Sequence, residues 1–144
     1  MRDLNEYFQK KFLEDMENLL EYTGLSKRWL LDERGTLLYG NIEEDEVDEY
    51  GNEPFHWEYG VMLIGEDGLD IMEISGYDEG TCEVNYANGG YVPHSLNFDK
   101  SGFNVYLNGR ELKDIEKGSD AAIFRDAFEG WLDSWYKYFY GEKA

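Results

Sequence analysis

The chain has 144 residues, a formal net charge of −19 and a sequence pI near 4.2. Such a polyanion is repelled by nucleic acid and by anionic membrane, and is drawn to basic protein surfaces across a screening length of about 8–10 Å. Hydrophobic residues at 42% and aromatic residues at 17% exclude a disordered acidic tail, so the charge rides on a folded body, read as a single domain over 1–144.

The charge is not spread evenly. Residues 35–99 hold 16 Asp and Glu and no Lys or Arg, whereas 1–34 hold 8 acids against 6 bases and 100–144 hold 8 against 7. Solubility asks for interspersed signs, because a large single-sign field strains the compact state by self-repulsion. The middle block is therefore where function is expected.

In chain order, Leu4, Phe8, Phe12, Met16, Leu19 and Leu20 recur at helical spacing. That predicts a helix over about 4–22, with Asp3 and Glu6 as a capping box and Gly24 as its stop. Lys27–Leu31 and Thr36–Tyr39 flank Asp32-Glu33-Arg34-Gly35 and read as a hairpin. The acidic run Glu43–Glu49 follows, and Glu43 to Pro54 reads as a loop. His56–Ile64 and Leu69–Ser75 form a second predicted hairpin around Gly65-Glu66-Asp67-Gly68.

Thr81–Ala87 alternates in strand fashion and is turned by Asn88-Gly89-Gly90; Val92–Phe98 and Phe103–Leu107 are further strands. Asn108-Gly109 is a tight-turn signal with a short return through Leu112. Ser119 then caps a second helix that carries Ile123, Phe124, Phe128, Trp131, Leu132, Trp135 and Phe139 to about Tyr140. The whole predicts an α+β domain: an N-terminal helix, an antiparallel meander of six or seven short strands and a C-terminal helix, with the helices packed on one sheet face. Trp131, Trp135, Tyr136, Tyr138 and Tyr140 exceed what one buried helix face needs, so a homodimer through this helix is a further expectation.

Little in the chain carries catalytic chemistry. Nucleophilic catalysis needs a base beside the nucleophile, yet Cys82 falls in a strand pattern with Val84 and Tyr86, and His56 and His94 stand apart. No zinc, P-loop, dinucleotide or nucleophile-elbow spacing occurs, and the calcium-loop pattern fails at both Gly51 and Gly68. A glycosidase pair cannot be picked out of 16 acids. Neither a cofactor nor a metal is expected, and an enzyme is not the preferred reading.

A lone cysteine forms no internal disulfide, the first residues lack the apolar core of a signal peptide, and no apolar run nears the ~20 residues of a bilayer span. A cytoplasmic location without membrane contact is expected. Direct nucleic-acid binding is disfavoured, since that affinity comes from cations displacing phosphate counterions.

The logic inverts for a partner that itself binds nucleic acid. Carboxylates on rigid strands can form a two-dimensional array, with alternate residues ~6.7 Å apart and neighbouring strands ~4.8 Å apart. The expected partner-binding residues are Glu43, Glu44, Asp45, Glu46, Asp48, Glu49, Asp70, Glu73, Asp78, Glu79 and Glu83. In size, charge and aromatic content the chain resembles small acidic inhibitors of phages and mobile elements, among them antirestriction and anti-CRISPR proteins. That resemblance implies a DNA mimic occupying the basic cleft of a DNA- or RNA-binding protein. The alternative is an immunity-type protein that neutralises a basic toxin such as a nuclease.

Overall fold

The computed structural model describes residues 2–3, 5–42, 46–47, 49, 53–85, 90–93 and 103–140. Two helices, α1 (Asn5–Thr23) and α2 (Asp120–Tyr140), accompany eight strand segments. These are β1 (Arg2–Asp3), β2 (Trp29–Leu31), β3 (Leu37–Ile42), β4 (Glu53–Gly65), β5 (Ile71–Asn85), β6 (Gly90–Pro93), β7 (Phe103–Leu107) and β8 (Arg110–Glu111). With β1 and β8 only two residues each, six strands carry the sheet. All pairings are antiparallel, in the order β1-β3-β4-β5-β7-β8, with β2 also on β4 and β6 also on β5. The chain is the expected α+β domain.

Alternation decides which face is covered. Leu38 of β3, Tyr59, Val61 and Leu63 of β4, Met72 and Ile74 of β5, and Phe103 and Val105 of β7 are buried on one face. They form a single core with Phe12, Met16 and Leu20 of α1 and Phe124, Phe128, Trp131 and Leu132 of α2. Phe128 is its hub: its ring lies 5.3 Å from those of Tyr59 and Phe103 and 5.4 Å from Trp131. Fully burying one such aromatic contributes roughly 1.5–3 kcal/mol.

Both helices begin or end as their sequences predict. Gly24 closes α1 in the left-handed region (φ 77°), its N–H donating to Glu21 O at 3.1 Å. Ser119 caps α2: Ala122 N–H donates to its Oγ at 3.2 Å. The first residue of α2, Asp120, takes a two-pronged bond from Arg28 (Nε 3.0 Å, Nη2 2.6 Å) and a third from the Trp29 indole at 2.8 Å. A carboxylate at a helix N-terminus is also favoured by the helix dipole. Trp131, which the dimer expectation counted as surplus, is core, and its indole donates to Asp15 at 2.9 Å. The side chains of Trp135, Tyr136, Tyr138 and Tyr140 lie outside the described residues.

The edge strand β3 is closed without another long strand. Its outward Leu38 N–H donates to Gln9 Oε1 at 2.6 Å and its Thr36 carbonyl accepts from Gln9 Nε2 at 2.8 Å, so one amide of α1 imitates a strand neighbour. Further along, β1 pairs with Asn41 and Ile42.

Three strand readings are corrected. Trp29–Leu31 and Leu37–Ile42 do not pair with each other: both run along the same edge of β4, opposite 63–65 and 55–60. Asp32–Thr36 is a turn that leaves the ladder and rejoins it, with Thr36 N–H on Asp32 O at 2.9 Å. The ladder is carried across the gap by Asp32 N–H on Met62 O (2.9 Å) and Met62 N–H on Thr36 Oγ1 (3.1 Å). A 13-residue β4 has room for both partners, which local turn chemistry does not reveal. Second, Leu69–Ser75 and Thr81–Ala87 are not separate strands, because β5 runs through Gly76 and Gly80 for 15 residues. Third, Glu53 and Pro54 belong to β4 rather than to a loop.

Candidate functional site: the open face of the sheet

The other face of the sheet carries no helix among the described residues, and its residues can be read row by row from the register. Leu30, Ile64 and Ile71 form the first row; Met62, Glu73, Tyr106 and Glu111 the second; Leu37, Gly60, Ser75 and Asn104 the third. Tyr39, Glu58 and Tyr77 form the fourth, and the strand positions of Asp3, Asn41, His56 and Glu79 the fifth. Glu83 follows in the same phase, opposite Val92. This face leaves large apolar and aromatic groups in water: Leu30 is 64% exposed, Leu37 52% and Tyr77 60%. Scattered exposed apolar residues need no explanation, but three that share one charge-bearing face make it the candidate interaction surface.

The face has one sign. Its strand positions include Asp3, Glu58, Glu73, Glu79, Glu83 and Glu111, and no Lys or Arg among the described residues. The one titratable nitrogen is His56, whose Nε2 lies 3.4 Å from Glu58 Oε1 and whose ring is 6.0 Å from that of Tyr77. On the helix side, by contrast, Asp15 is paired with Lys11 at 3.1 Å and Asp120 with Arg28. The Arg28 guanidinium holds the Asp120 carboxyl below its ordinary value of 3.8, and the Asp120 carboxylate raises Arg28 in turn. These shifts belong to a contact that fastens α2 to β2, not to a catalytic group.

The sequence-derived site residues divide. Glu73 is half-buried on the open face, and Glu79 and Glu83 hold positions in its strand phase. Asp78 pairs with Trp57 and is in the phase of Met72 and Ile74. Asp70 is exposed in the β4–β5 turn, where its Oδ1 accepts from Asn108 Nδ2 at 3.1 Å and fastens that turn to the one between β7 and β8. Glu46 and Glu49 are exposed between β3 and β4; Glu43, Glu44, Asp45 and Asp48 lie outside the described residues. Glu58, Tyr39, Tyr77, Leu30 and Leu37 were not anticipated as site residues. Tracking the alternation of β4 backward from Leu63, Val61 and Tyr59 assigns Glu58 and His56 to the opposite face, so that signal was available.

Nothing in the described residues assembles a catalytic centre. A recess of about 570 Å³ beside the β7–β8 turn is lined by Asn108, Arg110, Glu111, Lys113 and Asp114, a mixed-charge surface without a nucleophile and base. No group of three or more His, Cys, Asp or Glu suited to a metal occurs among the described residues, and no helix there is long and apolar enough to cross a membrane. His94 lies outside the described residues, as does the side chain of Cys82. Compared with protein-family models, curated proteins and solved structures, the chain matches none of them.

Proposed function

We propose that this chain is a binding protein whose open sheet face docks on the basic cleft of a DNA- or RNA-binding protein and so blocks it. The observation that carries the reading is the single-signed face: carboxylate positions at Asp3, Glu58, Glu73, Glu79, Glu83 and Glu111, no Lys or Arg among the described residues, and exposed Leu30, Leu37 and Tyr77. The carboxylates steer a cationic partner from a distance and fix its orientation, while the leucines and tyrosines supply area that loses water on contact.

Magnitudes limit the imitation of a duplex. The 15 residues of β5 span roughly 50 Å, along which a DNA duplex carries about 30 charges, far more than this face holds. Steering is thus shared by the acidic residues of the β3–β4 connection, of which Glu46 and Glu49 are exposed, and selectivity by the apolar contacts. Such selectivity suits one defined target, and a basic nuclease held by an immunity-type partner falls within the same chemistry.

The experiment is capture on immobilised protein from a host lysate at low salt, followed by elution with duplex DNA or with RNA. The expected result is a retained nucleic-acid-binding protein that nucleic acid displaces. Retention of no such protein, or retention that nucleic acid does not compete away, overturns the proposal.

A further inference from the structure

We infer that the low row across the middle of the open face, over Gly60 and Ser75, is a seat for an arginine side chain of the basic partner; this rests on the docking role proposed for that face. Two glycines, one in each of the paired strands β4 and β5, face opposite sides of the sheet. Gly76 points its missing side chain at the helices, where a Cβ would come within 2.6 Å of the Tyr59 ring. Packing inside the chain therefore requires that glycine. Gly60 points the other way, and a Cβ there would meet no described atom within 4 Å. Glycine weakens a strand interior and goes with a bulge, a bend or the close approach of another molecule; the register through Gly60 is unbroken on both sides, so there is no bulge.

The surroundings define the seat. Gly60 is flanked in its row by Ser75 and Leu37, and the rows on either side are tall: Met62, Glu73 and Tyr106 on one, Tyr39, Glu58 and Tyr77 on the other. The two walls stand ~13 Å apart along the strands, leaving the width of one row of side chains between them. Each wall contributes a carboxylate, Glu73 or Glu58, and tyrosine rings, Glu58 and Tyr77 also meeting His56 (3.4 Å to its Nε2 and 6.0 Å between rings) in the row beyond. A guanidinium is flat, stacks on aromatic rings and forks onto carboxylates, whereas the compact, strongly hydrated lysine ammonium uses the charge but little of the flat contact.

Charge complementarity selects this occupant over others. A second copy of the chain brings −19 to a face whose described strand positions hold no Lys or Arg. An uncharged apolar segment would strip water from Glu73, and from Glu58 beside its His56 neighbour at 3.4 Å, without adding a cation to either.

The test titrates labelled nona-arginine and nona-lysine peptides into the full chain at about 50 mM salt and reads fluorescence anisotropy. Nona-arginine is expected to bind more tightly than nona-lysine. Gly60→Leu, which fills the seat, should weaken nona-arginine about tenfold and nona-lysine less, with the thermal midpoint unchanged or higher. Ser75→Leu fills the seat from the neighbouring strand and should act alike, which covers the case of a poorly folded Gly60 variant. Equal binding of the two peptides, or a folded Gly60→Leu that binds nona-arginine as the parent does, overturns the inference. Glu58→Lys with Glu73→Lys then separates the claims: if that pair still weakens both peptides, the docking role stands and only the arginine seat fails; if it does not, both fail.

Discussion

The two faces of one sheet solve different problems with the same strands. On the covered face, alternate residues of β3, β4, β5 and β7 join α1 and α2 in a continuous apolar core, and the acids on the helix side, Asp15 and Asp120, have cation and indole partners. On the open face, Glu58 and Glu73 have no Lys or Arg beside them among the described residues, and Leu30, Leu37 and Tyr77 meet water. Folding thus draws on one side of each strand and leaves the other free to carry charge at a cost in self-repulsion. The glycines follow the same division, Gly76 being fixed by Tyr59 and Gly60 by nothing among the described residues.

This contrast can be broken from the covered side first. Phe128→Ala removes the ring between Tyr59, Phe103 and Trp131 and should cost ~3–5 kcal/mol in denaturant unfolding, the largest single effect expected. Gly76→Ala pushes a methyl into the Tyr59 ring, and calorimetry should register a loss of ~1–3 kcal/mol.

Asp120→Asn weakens the Arg28 and Trp29 bonds and the helix-terminal charge, for about 1 kcal/mol at neutral pH given the partial exposure of the pair. Because the folded Asp120 carboxyl lies below its ordinary 3.8, its stabilisation is complete above that pH and fades as pH falls through the folded value. The difference between parent and Asp120→Asn in urea melts should therefore shrink below pH 3.8 and not above it. Smallest, and opposite in sign, Gly60→Ala should stabilise by ~0.5–1 kcal/mol, since a methyl on the open face has room and stiffens the strand. A destabilised Gly60→Ala would show that the space over Gly60 is filled within the chain.

Much of the scaffold was legible because its signals are local. Ser119 caps α2, Gly24 ends α1, and Asn108-Gly109, both at positive φ (52° and 78°), turns β7 into β8 as its sequence demands. What escaped depends on partners distant in sequence. Asp32-Glu33-Arg34-Gly35 does form a turn, but whether the flanking strands pair with each other or lie end to end along β4 is decided by the length of β4. Gly76 and Gly80 look like breaks until Tyr59 is seen to occupy the space over Gly76.

The candidate site was legible as a charge pattern and not as a surface. The absence of Lys and Arg from 35–99 covers the strands that carry Glu58, Glu73, Glu79 and Glu83, yet the eye goes to the consecutive acids from Glu43. Glu58 is an isolated acid within an otherwise apolar and aromatic stretch of β4, and only the phase of that strand reveals that it shares a face with Glu73. Treating β5 as two strands hid the same phase relation, in which Glu73, Glu79 and Glu83 agree and Asp78 does not.

The central claim is that position on the open face, and not net charge alone, makes the acids functional. Two variants with the same change in net charge separate these: Glu58→Lys with Glu73→Lys on the open face, and Glu14→Lys with Glu17→Lys on the exposed side of α1. Affinity for nona-arginine at about 50 mM salt is the measurement. The open-face pair should lose about 10- to 100-fold and the α1 pair less than about threefold. Equal losses in the two would mean that bulk charge does the work, and the open face would then be no more than a bare surface.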